Sequence, residues 1–156
     1  NQRIIKMYSF DSSISIIHLI WWGINILSII LIWSGTKKNI KYFDYKKKIN
    51  GKQYLSNSGM ALLLIYFAIF ISDRVNITES YVSIFYYFII SIFALVGTLK
   101  FFLAGMNRLT DIGLFSSWIY PIYIIVAGSM ANYIDNFYPI FLLGIVLLIV
   151  YPGKDT

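Results

Sequence analysis

The hexapeptide Arg108–Gly113, Arg-Leu-Thr-Asp-Ile-Gly, is the chemically most distinctive part of the sequence and separates two apolar runs. Arg108 and Asp111 lie three residues apart. Such a pair at a membrane boundary can form an ion pair, gate a polar path or bind a headgroup phosphate. A structural interpretation stays open beside these, in which Thr110 or Asp111 caps the following helix and Gly113 relieves the turn. Arg108 and Asp111 are therefore the candidate functional pair, for recognition or packing rather than catalysis.

Three further polar residues lie within apolar runs. His18 and Asn25 are seven residues apart, so they share roughly one helical face, and that face is expected to contact other helices rather than lipid. Lys100 stands inside a long apolar stretch, and we expect its ammonium to extend toward the headgroups. His18, Asn25 and Lys100 are the candidate intramembrane polar residues.

Metal and catalytic motifs are absent from the sequence. It has no cysteine, one histidine and seven acids, all in predicted loops or tails, so no ligand set for a metal ion can be assembled. Serine motifs, paired intramembrane carboxylates and phosphate-binding loops are also missing. We predict no metal, no catalytic residue and no cofactor, and the sequence does not favour an enzyme.

The elements that position these residues are predicted to be membrane-spanning helices. Hydrophobic residues make up 58% of the 156 residues and charged residues 13%, against about 45–50% and about 25% in soluble domains. We predict an all-α fold, a polytopic transmembrane helical bundle of about five spans, with four as the alternative, forming one domain over 1–156. The expected spans are 14–33, 56–72, 81–99, 114–131 and 137–150, and Pro121 is expected to bend the fourth.

A lysine-rich loop is predicted at 34–58. Its basic residues are Lys37, Lys38, Lys41, Lys46, Lys47, Lys48 and Lys52. Seven lysines minus the one acid of this loop, Asp44, give +6, which equals the net charge of the whole chain. Beside membrane spans, such a segment is typical of contact with anionic lipid headgroups. Binding to a protein or nucleic-acid partner is the less favoured interpretation.

The distribution of Lys and Arg also predicts an orientation. With five spans, the lysine-rich loop, Arg108 and the C-terminus share one side, which holds nine basic residues against three on the other. Basic residues concentrate on the cytoplasmic side of membrane proteins. We therefore expect the lysine-rich loop and the C-terminus to be cytoplasmic in a bacterial inner membrane, with a mitochondrial inner membrane as the alternative.

The segment Arg-Leu-Thr-Asp-Ile-Gly, followed by Ser-Ser-Trp-Ile-Tyr-Pro, resembles the YhaH-like bacterial inner-membrane proteins of unknown function. Members of that family carry Arg-Leu-His-Asp-x-Gly-x-Ser-Gly-Trp-Trp between two spans, with a proline soon after. The matching residues are Arg108, Leu109, Asp111, Gly113, Trp118 and Pro121. Thr110 stands where the family has histidine, and Ile119 where it has a second tryptophan. The resemblance implies a membrane location and no established activity.

Three functions stay open at this point. The favoured one is a small non-enzymatic subunit or scaffold of a larger membrane complex, with protein partners or a homo-oligomer. The alternative is a pore or transporter for ions or small solutes that uses Arg108 and Asp111. A lipid-modifying enzyme comes third.

Overall fold

The computed structural model describes residues 2–74, 80–113, 116–133 and 138–153. Within these ranges the protein is all-helical and has no strand, which confirms the predicted helical class. A three-residue 3-10 turn, Lys41–Phe43, follows the first of the five α-helices found in the described ranges. The helices are α1 Gln2–Lys37, α2 Gly51–Arg74, α3 Ser80–Ile112, α4 Ile119–Tyr133 and α5 Tyr138–Val150.

Two of the described helical stretches are long and apolar enough to cross a membrane. They are Gly51–Ser72 in α2 and Phe85–Ile112 in α3. The apolar stretches of α4 and α5 are shorter, at Ile119–Met130 and Phe141–Val150. Membrane-crossing length is therefore found for two helices in the described part of the chain, against the five spans predicted.

The end of α1 is fixed by its own backbone. Asn39 adopts a left-handed conformation with φ of 55°. Its N–H donates to the carbonyl of Thr36 at 3.0 Å, and the N–H of Ile40 donates to that of Gly35 at 2.9 Å. This pair of bonds is a Schellman motif, which satisfies carbonyls that the helix end leaves free. The Thr36 hydroxyl also donates toward the carbonyl of Phe43, so the turn folds back onto α1.

The start of α2 is a reciprocal side-chain cap. The N–H of Gln53 donates to Oδ1 of Asn50 at 2.9 Å, and the N–H of Asn50 donates to Oε1 of Gln53 at 3.2 Å. This capping box satisfies two backbone donors. With this cap, α2 begins at Gly51, whereas the predicted span began at 56. The lysine-rich connection between α1 and α2 is correspondingly shorter than predicted.

The long helix α3 packs antiparallel to α2. A side chain at Gly97 would lie within 3.0 Å of the Ala61 carbonyl oxygen and within 2.8 Å of Ile65, so its absence lets the two backbones approach. Instead of stopping at 99, α3 continues to Ile112 and ends at Gly113, whose φ is 69°. The N–H of Gly113 donates to the carbonyl of Leu109 at 2.8 Å.

Pro121 lies in the first turn of the fourth helix, whereas the prediction of a bend placed it inside the span 114–131. It is the third residue of α4, where backbone N–H groups have no partner within the helix. The missing donor of proline therefore costs no helical hydrogen bond at this position. Pro139 occupies the equivalent first turn of α5.

The helices meet at one end of the bundle around the last turns of α3. Thr110 contacts Tyr45, Arg108 contacts Ile49, and Arg108 also contacts Tyr151 just beyond α5. The ends of α1, α3 and α5 and the starts of α2 and α4 therefore share this end, which we call the lysine end. The core beneath it comprises Ile32, Ala61, Leu99, Phe101, Phe102, Leu103, Met106, Leu109, Tyr120 and Ile124.

Candidate functional site

Arg108 is buried at the lysine end, with 3% of its surface exposed. Its Nε donates to the carbonyl of Leu148 at 2.8 Å, and Nη1 donates to that of Ile49 at 3.2 Å. Nη2 donates to the carbonyl of Tyr151. Leu148 and Tyr151 lie at the C-terminal end of α5, where helix carbonyls lack partners and a positive charge is favourable. One side chain thus joins α3, the segment before α2 and the end of α5.

Asp111 completes this arrangement. Its Oδ2 accepts a hydrogen bond from Nη1 of Arg108, one helical turn earlier, and the two side chains form a buried ion pair. The carboxylate lies against Gly153, where a Cβ would come within 2.4 Å of Oδ2. A buried pair is tolerated when its charges oppose and its donors are satisfied. We call Arg108, Asp111 and the carbonyls they hold the arginine clasp.

Thr110 connects the same turn to two loops. Its Oγ1 lies 3.0 Å from the carbonyl of Tyr45 and 2.5 Å from Oγ of Ser117. The predicted capping of the fourth helix is wrong, because Thr110 and Asp111 lie inside α3 and bond elsewhere. The first turn of α4 is instead closed by the N–H of Ile119, which donates to the carbonyl of Ser116 at 3.0 Å.

A pair of buried tyrosines lies below the arginine clasp. The hydroxyls of Tyr54 in α2 and Tyr120 in α4 are 3.2 Å apart, and both side chains are almost fully enclosed. The ring of Tyr120 lies against Gly105, where a Cβ would come within 2.1 Å of it. No spacing in the sequence distinguishes these two tyrosines from the other eleven of the thirteen, so the pair was not predicted.

The structure places Asn25 inside the bundle. It is fully buried, and its Nδ2 donates to the carbonyl of Trp21 at 2.7 Å. Its Oδ1 has no hydrogen-bond partner among the described residues, and neither does Oγ1 of buried Thr98 in α3. His18 is also in α1, but its side chain lies outside the described residues.

Lys100 lies near the middle of α3 and contacts α2. Its Nζ lies 2.8 Å from Sδ of Met60, a weak acceptor. Within the described ranges no carboxylate pairs with it, whereas Arg108 two turns further along has its own aspartate. The ammonium therefore lies against the neighbouring helix, and its extension toward the headgroups stays a prediction.

The predicted lipid-contact lysines all lie on the surface of the lysine end. Their side chains are exposed at all seven positions. Lys37 lies over the ring of Trp33, with Nζ 5.4 Å from the ring centroid. The one acid of this segment, Asp44, accepts from the backbone N–H of Lys46 at 3.0 Å. The surface is therefore basic and open to a partner.

No cluster of three or more His, Cys, Asp or Glu side chains suited to a metal ion occurs in the part of the chain that the structure describes. Comparison of the chain with protein-family models, curated protein sequences and solved structures finds no match.

Proposed function

We propose that this chain is a multi-pass integral membrane protein that serves as a small non-enzymatic subunit or scaffold of a larger membrane complex. The observation that carries the proposal is the arginine clasp. Arg108 and Asp111 are the residues of the sequence best suited to binding or chemistry. Their charged groups are instead used to join three segments of the same chain. Because this charged pair is used inside the protein, the residues that can contact partners are those on the surface of the bundle.

That surface supports membrane embedding. Large apolar side chains are exposed along several helices, including Leu63 and Tyr66 in α2, Phe85 and Phe88 in α3 and Val150 in α5. Exposed apolar patches of this extent indicate contact with lipid or with another protein. Lipid tails can cover such a surface without cost, whereas water cannot.

The lengths of α4 and α5 support an assembly. Fifteen and thirteen residues correspond to about 22 Å and about 20 Å of helix at 1.5 Å per residue. Both are shorter than a hydrocarbon layer of about 30 Å. Five crossings therefore need local thinning of the bilayer or neighbouring proteins around the short helices. Neighbouring subunits packed around α4 and α5 would accommodate these short helices without thinning of the bilayer.

The orientation follows from the lysine end. Seven exposed lysines surround it, and each contributes about 1 kcal/mol of attraction to an anionic leaflet. We propose that this end faces the cytoplasm of a bacterial cell and contacts anionic lipids. The relationship to YhaH-like proteins is part of the same proposal, since the matching Arg108 and Asp111 are the two charged members of the clasp.

A pore or transporter is the alternative, and one observation favours it. Asn25 and Thr98 are buried with side-chain oxygens that lack partners in the described residues. Such atoms between helices can line a polar path. Flux of small ions from liposomes, lost in Asn25→Leu and retained in Lys47→Met at an exposed position, would support this alternative over a subunit role.

The proposed role is tested by gentle extraction followed by native mass measurement. We expect the chain to emerge in an assembly of defined mass and composition, containing other proteins or several copies. Extraction in two unrelated mild detergents controls for complexes created by one detergent. A chain that emerges alone from both, correctly folded by circular dichroism, would contradict the proposed role.

A further inference from the structure

Lys100 carries a positive charge that has no ionic partner among the described residues. Its Nζ lies 2.8 Å from the neutral sulfur of Met60, and no carboxylate among the described residues pairs with it. Ionisable residues within a membrane usually face a protein interior or pair with an opposite charge. Lys100 does neither completely, since its side chain is partly exposed at the junction of α2 and α3.

The depth of Lys100 decides which partner can reach it. In the candidate span Phe85–Ile112 it is fifteen residues from the start and twelve from the end. Met60, on the facing helix, lies nine residues into the span Gly51–Ser72. Lys100 is therefore about 12 Å from the level of Arg108 along the helix axis. Relative to a layer about 30 Å thick, this position is close to the middle.

An open apolar groove lies on the outer side of α2 and includes Met60, the residue that Lys100 contacts. It has a volume of about 520 Å³ and runs along α2. Its lining residues are Met60, Leu63, Leu64, Tyr66, Phe67 and Phe70. From Met60 to Phe70 the groove extends for about 15 Å, which is nearly three helical turns. Such a groove matches the apolar face of a second helix.

We propose that this groove seats a transmembrane helix of another protein, and that an Asp or Glu near the middle of that helix pairs with Lys100. Charge complementarity supports the carboxylate, because an ammonium beside a thioether lacks an ionic partner. Depth supports a helix over a phospholipid, because a helix presents side chains at every level whereas lipid phosphates stay at the interface. The inference rests on the proposed subunit role and specifies its interface.

A second copy of this chain does not supply the carboxylate. The seven acids are Asp11, Asp44, Asp73, Glu79, Asp111, Asp135 and Asp155. Asp111 is held by Arg108 at the lysine end, and Asp44 lies in the loop beside it. Asp11 lies inside α1, about 39 Å along the helix axis from the end at Lys37, whereas Lys100 is only about 18 Å from the end of α3. The other four lie near helix ends or in connections and tails by their sequence positions. The partner of Lys100 is consequently a different protein.

The site is tested with the full chain in phosphatidylcholine vesicles and a synthetic transmembrane helix of leucine and alanine as the probe. One peptide carries a single Asp at its centre, a matched peptide carries Asn there, and a third carries the Asp near one end. Because the chain has no cysteine, Lys46→Cys provides a unique position for a fluorescent label. Energy transfer to a labelled peptide then reports association.

We expect the central-Asp peptide to bind about tenfold more tightly than the Asn peptide, which is the size of interhelical polar contacts in membranes. Lys100→Met should remove this preference, and Lys100→Arg should retain it. Leu63→Ala should weaken binding of both peptides, whereas Leu147→Ala, at an exposed position on α5 outside the groove, should not. Equal binding of the Asp and Asn peptides would overturn the inference.

Two further measurements separate the remaining outcomes. If phosphatidylglycerol in the vesicles abolishes the preference for Asp, the ligand of Lys100 is a lipid and the inference is wrong. Native extraction distinguishes the interface from the proposed role. A wild-type chain without partners contradicts the role itself, whereas an assembly whose mass is unchanged by Lys100→Met contradicts only the Lys100 interface.

Discussion

Arg108 in α3 donates from Nε to the main-chain carbonyl of Leu148 in α5 at 2.8 Å, although forty residues separate them. The same guanidinium also holds the carbonyls of Ile49 and Tyr151, and it is neutralised by Asp111. An arginine suits this position because its planar group presents five donors in fixed directions.

Replacing one charged residue of the arginine clasp should lower the stability of the folded protein. We expect Arg108→Met or Asp111→Leu to lower the free energy of unfolding by about 3–5 kcal/mol, because each leaves an uncompensated buried charge. The double variant should lose less than the sum of the two single losses. Unfolding by sodium dodecyl sulfate in mixed micelles, followed by circular dichroism, measures these differences. Lys47→Met, at an exposed lysine, is the control and should change stability by less than about 0.5 kcal/mol.

The tyrosine pair should show coupling. Tyr54→Phe removes one of two hydroxyls that lie 3.2 Å apart, and the remaining buried hydroxyl then costs about 1–3 kcal/mol. Tyr120→Phe should cost a similar amount, and the double variant should cost little more than either. A double-mutant cycle in the same unfolding assay measures the coupling. Fully additive effects would show that the two hydroxyls do not interact.

Close packing at Gly105 gives a steric prediction. A Cβ there would lie within 2.2 Å of three ring atoms of Tyr120, which is itself buried. Gly105→Ala should therefore destabilise the protein by about 1–3 kcal/mol through overpacking. Gly59→Ala is the matched control, because a Cβ at that helical position meets nothing within 4 Å. It should leave stability unchanged or raise it by up to about 1 kcal/mol.

Helical class was predictable because the apolar runs are long and contain few charges. The start of α2 was predictable as well, since Asn50 and Gln53 have the spacing of a capping box. A prediction from hydropathy alone placed that start at 56, because the first turn of α2 is polar. The position of Pro121 within its helix was predicted wrongly for a related reason. A proline bends a helix from its middle but is tolerated in its first turn, and an apolar run does not show where the first turn begins.

The candidate site was only partly accessible from sequence. The spacing of Arg108 and Asp111 indicated a possible pair, because residues three apart share a helical face. Their other partners are backbone carbonyls of Leu148, Ile49 and Tyr151, and every residue type carries such a carbonyl. The pairing of Tyr54 with Tyr120 depends on how α2 and α4 pack, which no local pattern encodes.

Thr110 provides a test of the connection between the clasp and the lysine-rich segment. Its hydroxyl lies 3.0 Å from the carbonyl of Tyr45 and 2.5 Å from the hydroxyl of Ser117. Thr110→Val keeps the shape of the side chain and removes both contacts, so the backbone of the segment should open more often and enter the active site of trypsin at the already exposed Lys46 to Lys48. We expect cleavage there to accelerate about fivefold or more, since a lost hydrogen bond is worth about 1 kcal/mol.

Thr110→Ser is the control for this cleavage, because it retains the hydroxyl and removes only a methyl group. Cleavage of the Ser variant should remain within about twofold of wild type, in keeping with a change well below 1 kcal/mol. The rates are compared at one trypsin concentration in intact vesicles, with fragments identified by mass. If the Val and Ser variants are cleaved at the same rate, the Thr110 hydroxyl does not hold the segment in place. Faster cleavage in the Val variant alone would show that the Thr110 hydroxyl, through its contacts with Tyr45 and Ser117, helps to fix the lysine-rich segment to α3.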